Sequence, residues 1–97
     1  MPTYISLVTW TDKGVSSYKD TFDRAAAAGE LASKIGATLK EVYWTIGPYD
    51  IVALTEAPDD ETATAFALAL SSQGNVRTTT LRGFSADEMR AVVAKIG

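Results

Sequence analysis

The chain has 97 residues, a formal charge of −3 and neither cysteine nor histidine. Those absences exclude disulfides, thiolate nucleophiles, Cys-based metal sites, the Ser-His-Asp triad and the commonest metal ligand. The nine Lys/Arg are dispersed, with no basic run or aromatic-basic interleaving, so the expectation is no nucleic-acid partner. The length suits one domain, residues 1–97, which buries roughly 60–65% of its unfolded surface and gains from association. Met-Pro-Thr-Tyr at the N-terminus lacks a basic n-region and a long apolar h-region, and no apolar stretch approaches membrane-spanning length. The expectation is a cytoplasmic protein with no membrane partner.

Thr3 to Trp10 reads as a strand with apolar groups on both faces: Ile5 and Leu7 on one, Tyr4, Val8 and Trp10 on the other. Thr11 to Lys19 is a polar connection containing Gly14. A helix starts at Asp20 or Thr21 and stops before Gly36, with Ala25, Ala28, Leu31, Ala32 and Ile35 as its inward stripe. Gly29 inside it marks either a close contact with the sheet or a tolerated weakness.

Leu39 to Ile46 and Ile51 to Ala57 are strands joined by a turn at Gly47-Pro48-Tyr49-Asp50, where Pro48 pre-sets φ. Pairing Gly47 with Asp50 places Ile46 opposite Ile51, Trp44 opposite Ala53 and Val42 opposite Thr55. Both faces of this hairpin are apolar, whereas a half-exposed antiparallel sheet alternates apolar with polar. Something must cover both sides. The expected arrangement turns Ile5, Leu7, Val52 and Leu54 toward the helices. It leaves Tyr4, Val8, Trp10, Val42, Trp44, Ile46, Ile51 and Ala53 on an open face.

A second helix follows Pro58, its first turn carrying Asp59, Asp60 and Glu61 near the positive helix end. Adjacent helical residues diverge, so these carboxylates are read as dipole complements and not as a metal cluster. Ala63, Phe66, Ala67 and Leu70 form the buried stripe, and Gly74 ends the helix. Asn75 to Phe84 is a fourth strand, with Val76, Thr78 and Thr80 on one face and Arg77, Thr79 and Leu81 on the other. Ser85 to Glu88 has capping-box spacing before a last helix with Met89, Val92, Val93 and Ile96 on one side. The order is β-α-β-β-α-β plus one helix, a ferredoxin-like antiparallel α+β fold.

Gly47-Pro48-Tyr49-Asp50 resembles the Gly-x-Tyr-Asp signature of the GYD-domain family. The likeness continues through Trp10-Thr11-Asp12, Ala57-Pro58-Asp59-Asp60-Glu61 and Asn75-Val76-Arg77-Thr78-Thr79-Thr80, nearly the whole chain. The second half is also similar to the effector-binding domain of leucine-responsive-type regulators. Both resemblances imply a ferredoxin-like fold that pairs sheet to sheet, as dimeric α+β barrels do. Neither supplies a catalytic residue to carry over.

Candidate ligand-binding residues are Tyr4, Trp10, Tyr43, Trp44, Tyr49, Asp50 and Arg77. The first four, all aromatic, offer an apolar wall, with Arg77 for an anion or Asp50 for a cation. Each has a plainer role. Trp10 and Trp44 suit packing, Asp50 suits local hydrogen bonding beside the turn, and Tyr49 suits folding over an adjoining surface. No catalytic residues, metal ligands or cofactor are assigned. The leading expectation is a non-enzymatic module that forms homodimers or higher homo-oligomers and binds a small molecule. The alternatives are a cofactorless enzyme of the dimeric α+β barrel type and a stand-alone effector domain acting with a separate regulator.

Overall fold

The computed structural model describes residues Met1–Gly97. Its elements are β1 (Thr3–Trp10), α1 (Asp12–Ser16), a 3-10 turn (Tyr18–Asp20), α2 (Thr21–Lys34), β2 (Thr38–Trp44), β3 (Ile51–Glu56), α3 (Asp60–Ser72), β4 (Val76–Gly83) and α4 (Ala86–Ala94). The four strands form one antiparallel sheet in the order β2-β3-β1-β4, the split βαβ topology of an α+β fold. No helix is long and apolar enough to cross a membrane.

Local chemistry sets the boundaries. Asp59 caps α3 by accepting from the Thr62 N–H, and Ser85 and Glu88 make a reciprocal capping box on α4. Gly36 and Gly74 follow α2 and α3 with φ of 86° and 83°, the left-handed conformation that stops a helix. The expected polar connection after β1 is more ordered than a loop. Thr11 caps a five-residue helix by accepting a hydrogen bond from the Gly14 N–H, a local motif with no apolar period to announce it.

The core lies between the sheet and α2 and α3. Ala32, Ala37, Ala57, Ala63, Phe66 and Tyr4 are buried there, with Ala28, Leu31, Leu39 and Leu70 packed around them. The helix-facing side of the sheet is therefore the Tyr4, Val8, Ala53 side, which corrects the expected orientation. Ile5, Leu7, Val52 and Leu54 face away from the helices. Both faces carry comparable apolar bulk, so alternation alone could not choose between them. What distinguishes the helix side is small residues, Ser6, Ala53 and Thr55, which let the alanine stripe of α2 approach. The hydrogen bond from Tyr4 to Asp60 and that from Trp44 to Thr21 fasten the helices to the same side.

The hairpin register also differs from expectation. Trp44 pairs with Ile51, Val42 with Ala53 and Tyr43 with Val52, and a bulge between Leu39 and Glu41 displaces Lys40. The hairpin closes where the Thr45 N–H donates to the Asp50 carbonyl at 2.9 Å, so residues 45–50 form a wider loop than a Gly47–Asp50 turn. Ile46 consequently leaves the sheet and is fully exposed.

Candidate functional site

Turning the Ile5 side outward leaves a contiguous apolar patch across the sheet. Ile5 lies between Leu54 on β3 and Leu81 on β4, and in the next row Leu7 lies beside Val52, which pairs with Tyr43. Tyr43 is 55% exposed and Leu81 45%, while Ile5, Leu7, Val52 and Leu54 are half-buried by their sheet neighbours. The rim is polar. Lys40 pairs with Glu56 at 3.4 Å, the Tyr43 hydroxyl donates to Glu41 at 3.0 Å, and Arg77 sits opposite Thr9 on the edge strand. The Tyr43 hydroxyl is held above its usual pKa, chiefly by that hydrogen bond to Glu41.

Helix α4 does not cover this patch. It packs extensively on no other element, and the Arg82–Glu88 ion pair at 3.5 Å links its first turn to β4. Met89, Val92, Val93 and Ile96 remain 48%, 38%, 53% and 87% exposed. Large contiguous apolar surfaces of this kind mark association sites.

The other side of the sheet holds Tyr4, Trp10 and Trp44. Tyr4 is buried, and its hydroxyl donates to Asp60 Oδ1 at 2.5 Å with the Arg82 guanidinium 5.8 Å from the ring centre. That hydrogen bond, then burial, raises the phenol pKa. Trp44 stacks at a tilt on Phe22, ring centres 5.2 Å apart, and its Nε1–H donates to Thr21 Oγ1 at 2.9 Å. Asp50 Oδ2 accepts from the Trp10 backbone N–H at 2.8 Å, tying the hairpin loop to β1, while Tyr49 lends its carbonyl to Thr45 Oγ1. The structure thus brings Trp10 and Asp50 together. Tyr43 lies on the opposite face from Tyr4, Trp10 and Trp44, and Tyr4 sits at the far end of β1 from Trp10. Arg77 borders a polar groove between α3 and β4.

Between the helices and the sheet lies a partly open pocket of about 90 Å³, lined by apolar side chains including Val8, Ala28, Val42 and Phe66 together with the polar Ser6, Thr21, Gln73, Asn75 and Thr78. Trp10 lines it, and the Trp10 Nε1–H is buried without a hydrogen-bond acceptor. Arg24 also borders the pocket, but its guanidinium is committed to the carbonyls of Ser17 and Gly14, both at 3.2 Å. Composition offered no sign of this pocket. The nearest signal was the run of small residues Ala25 to Gly29, of which Ala25 and Ala28 line it. Asp59, Asp60 and Glu61 diverge: Asp59 caps α3, with hydrogen bonds from Thr62 holding its carboxyl below the usual range, and Asp60 receives Tyr4.

Residues 4–93 match the GYD domain family. The chain is 35% identical over 92 residues to the glutamine synthetase and cystathionine beta-lyase binding protein of Thermus thermophilus, covering 94% of this chain and 97% of that protein. The crystal structure of TTHA0845, also from Thermus thermophilus, superposes with a TM-score of 0.58 at 31% identity, over 89% of this chain and 96% of that one. The feast or famine regulatory protein Rv3291c of M. tuberculosis, solved with L-methionine, shares the fold at a TM-score of 0.64 and 19% identity. The alignment covers 90% of this chain but 54% of the regulator, about half its length. The matching span contains Gly47-Pro48-Tyr49-Asp50, the open apolar face and the pocket, and the chain belongs to the GYD-domain family.

Proposed function

We propose that this protein is a non-enzymatic binding module that pairs through its open sheet face and holds a partner enzyme. The observation that carries the reading is the apolar patch of Ile5, Leu7, Leu54, Val52, Leu81 and Tyr43, left bare by every helix of its own chain. Four strands spaced about 4.8 Å apart, rising about 3.4 Å per residue, make a face of roughly 19 by 25 Å. That is on the order of 500 Å², short of the roughly 800 Å² each partner buries in a standard interface. The apolar side of α4 supplies the missing area once a second copy lies against the sheet. Tyr43 is then an interface aromatic, and Arg77 a rim charge.

The kinship with the Thermus protein supports the second half of the proposal, since that relative is named for binding glutamine synthetase and cystathionine beta-lyase. The partner proposed here is an enzyme of the same kind, bound without turnover by the module itself. Biolayer interferometry against purified glutamine synthetase and cystathionine beta-lyase from the same source tests it. Saturable binding to either enzyme is the expected result. Absence of binding to both overturns the partner assignment.

A further inference from the structure

We infer that the outer edge of β4 takes an extended acidic segment of another protein as a fifth strand, with side chains of that segment entering the groove between α3 and β4. The site lies on the edge of the sheet and rests neither on pairing through the open face nor on the identity of the partner enzyme. Three observations carry the inference. The first is a bare ladder. β4 is the last strand of the sheet and pairs on one side only, with β1, over its whole length and without a bulge. In an antiparallel ladder every second residue turns its N–H and C=O away from the neighbouring strand, so about four residues of β4 present both groups outward. No turn, loop or side chain hydrogen-bonds to the backbone of residues 76–82, and the Arg82 guanidinium takes only the Gly83 carbonyl. The opposite edge is guarded, because β2 carries a bulge at Lys40, a common device against strand addition. β4 has no such guard.

The second observation is the groove beside that edge. The register of β4 on β1 puts Thr78, Thr80 and Arg82 on the helix side, and α3 lines the other wall with Thr64, Leu68 and Ser71. Leu68 is 67% exposed there. A helix beside an unpaired edge lets an added strand take main-chain hydrogen bonds from the edge while its alternate side chains meet the groove. The third observation is charge, which selects the occupant. Arg77 and Arg82 both line the groove; Arg77 makes no ion pair, and Arg82 makes only the partly exposed pair with Glu88. The single carboxylate of the lining, Asp60, already accepts from Tyr4. A second copy of β4 is the wrong guest. Antiparallel self-pairing over Val76–Gly83 sets Arg77 opposite Arg82 at both ends, and like charges directly opposite are destabilising. A segment with acidic residues five positions apart meets both arginines instead, with uncharged β-branched residues between them.

Amide hydrogen exchange of the full chain, followed by NMR, reads the edge directly, because outward amides exchange fast until a strand covers them. The probe is a blocked eight-residue peptide with glutamate at its second and seventh positions and valine and threonine elsewhere; its counterpart has lysine at both. The glutamate peptide is expected to slow alternate β4 amides at least tenfold and in a saturable way, while the lysine peptide slows none. Arg77→Glu, a change at an exposed side chain, is expected to bind the glutamate peptide about tenfold more weakly. Leu54→Glu, which charges the open face on β3, is expected to bind it as the wild type does, and so separates the edge from that face. Protection that is absent, that falls on β2, that the lysine peptide reproduces, that survives Arg77→Glu undiminished or that is lost in Leu54→Glu overturns the proposal. So does a free protein in which every β4 amide already exchanges slowly, since a second copy then occupies the edge.

Discussion

Two glycines that look alike in the sequence are expected to respond oppositely to the same methyl group. Gly14 sits in α1, pressed against the start of β4: a Cβ built on it would lie 2.0 Å from the Asn75 carbonyl oxygen and 2.9 Å from its carbon. Both atoms are backbone, so no rotamer relieves the clash, and the oxygen must retreat by about 1 Å or more. That oxygen also accepts the Thr11 N–H at 3.1 Å, so the retreat breaks the bond closing the start of α1. Overpacking of about 1–3 kcal/mol plus an unmet hydrogen bond of about 1 kcal/mol gives a loss near 3 kcal/mol. At about 4–8 °C per kcal/mol for a domain of this size, Gly14→Ala should melt about 12–24 °C lower. Gly29, inside α2, meets nothing closer than Leu39 Cδ2 at 4.0 Å. Its alanine variant should gain about 0.5–1 kcal/mol from helix propensity. Thermal melts followed by circular dichroism compare the two. A Gly14→Ala protein as stable as wild type refutes the packing argument.

Gly47 has φ of 111° with open space around its Cβ position, so Gly47→Val should cost about 1–3 kcal/mol from backbone strain alone. Tyr49→Ala should cost less, and equal denaturant midpoints for Gly47→Val and wild type would contradict this. Phe66→Ala, at the centre of the core, should lose about 3–5 kcal/mol in urea unfolding. Asp59 and Glu88 have carboxyls held below their usual values, by hydrogen bonds from Thr62 and from the Ser85 backbone N–H respectively. Their folded pKa values lie below the unfolded ones, so their contribution is complete above the ordinary carboxylate value of about 4 and fades as pH falls through the folded value. Asp59→Asn keeps a capping side chain and should leave melting at neutral pH nearly unchanged while flattening the acid limb of the melting profile.

Strand and helix order were legible because the apolar periods of β1, α2, α3 and β4 agree with their punctuation at Gly36, Pro58, Gly74 and Ser85. The orientation of the sheet was not legible. Ile5 and Leu7 on one face match Tyr4 and Val8 on the other in bulk, and the deciding contacts, Tyr4 with Asp60 and Trp44 with Thr21, span 56 and 23 residues. The hairpin register escaped for a related reason. A Gly-Pro-Tyr-Asp sequence announces a turn but not where the ladder closes, and a Thr45–Asp50 closure moves every pairing toward the loop. Of the seven candidate residues, Asp50 could be read locally as a hydrogen-bond acceptor beside the turn, although its partner on β1 could not. The unmet donor of Trp10 depends on what surrounds the ring in three dimensions, which no spacing encodes.

The proposed association surface is the Ile5–Leu54–Leu81 face of the sheet. Light scattering coupled to size exclusion, at tens of micromolar, tests it most directly on the wild type and Leu54→Glu. Leu54 lies in the middle of the patch and outside the helix-packed core, so a carboxylate there should disrupt pairing without unfolding the chain. The expected outcome is a wild-type mass of at least twice the 10.3 kDa of one chain, and a folded single chain for Leu54→Glu. A monodisperse wild-type monomer, or a Leu54→Glu protein that stays paired, would contradict it.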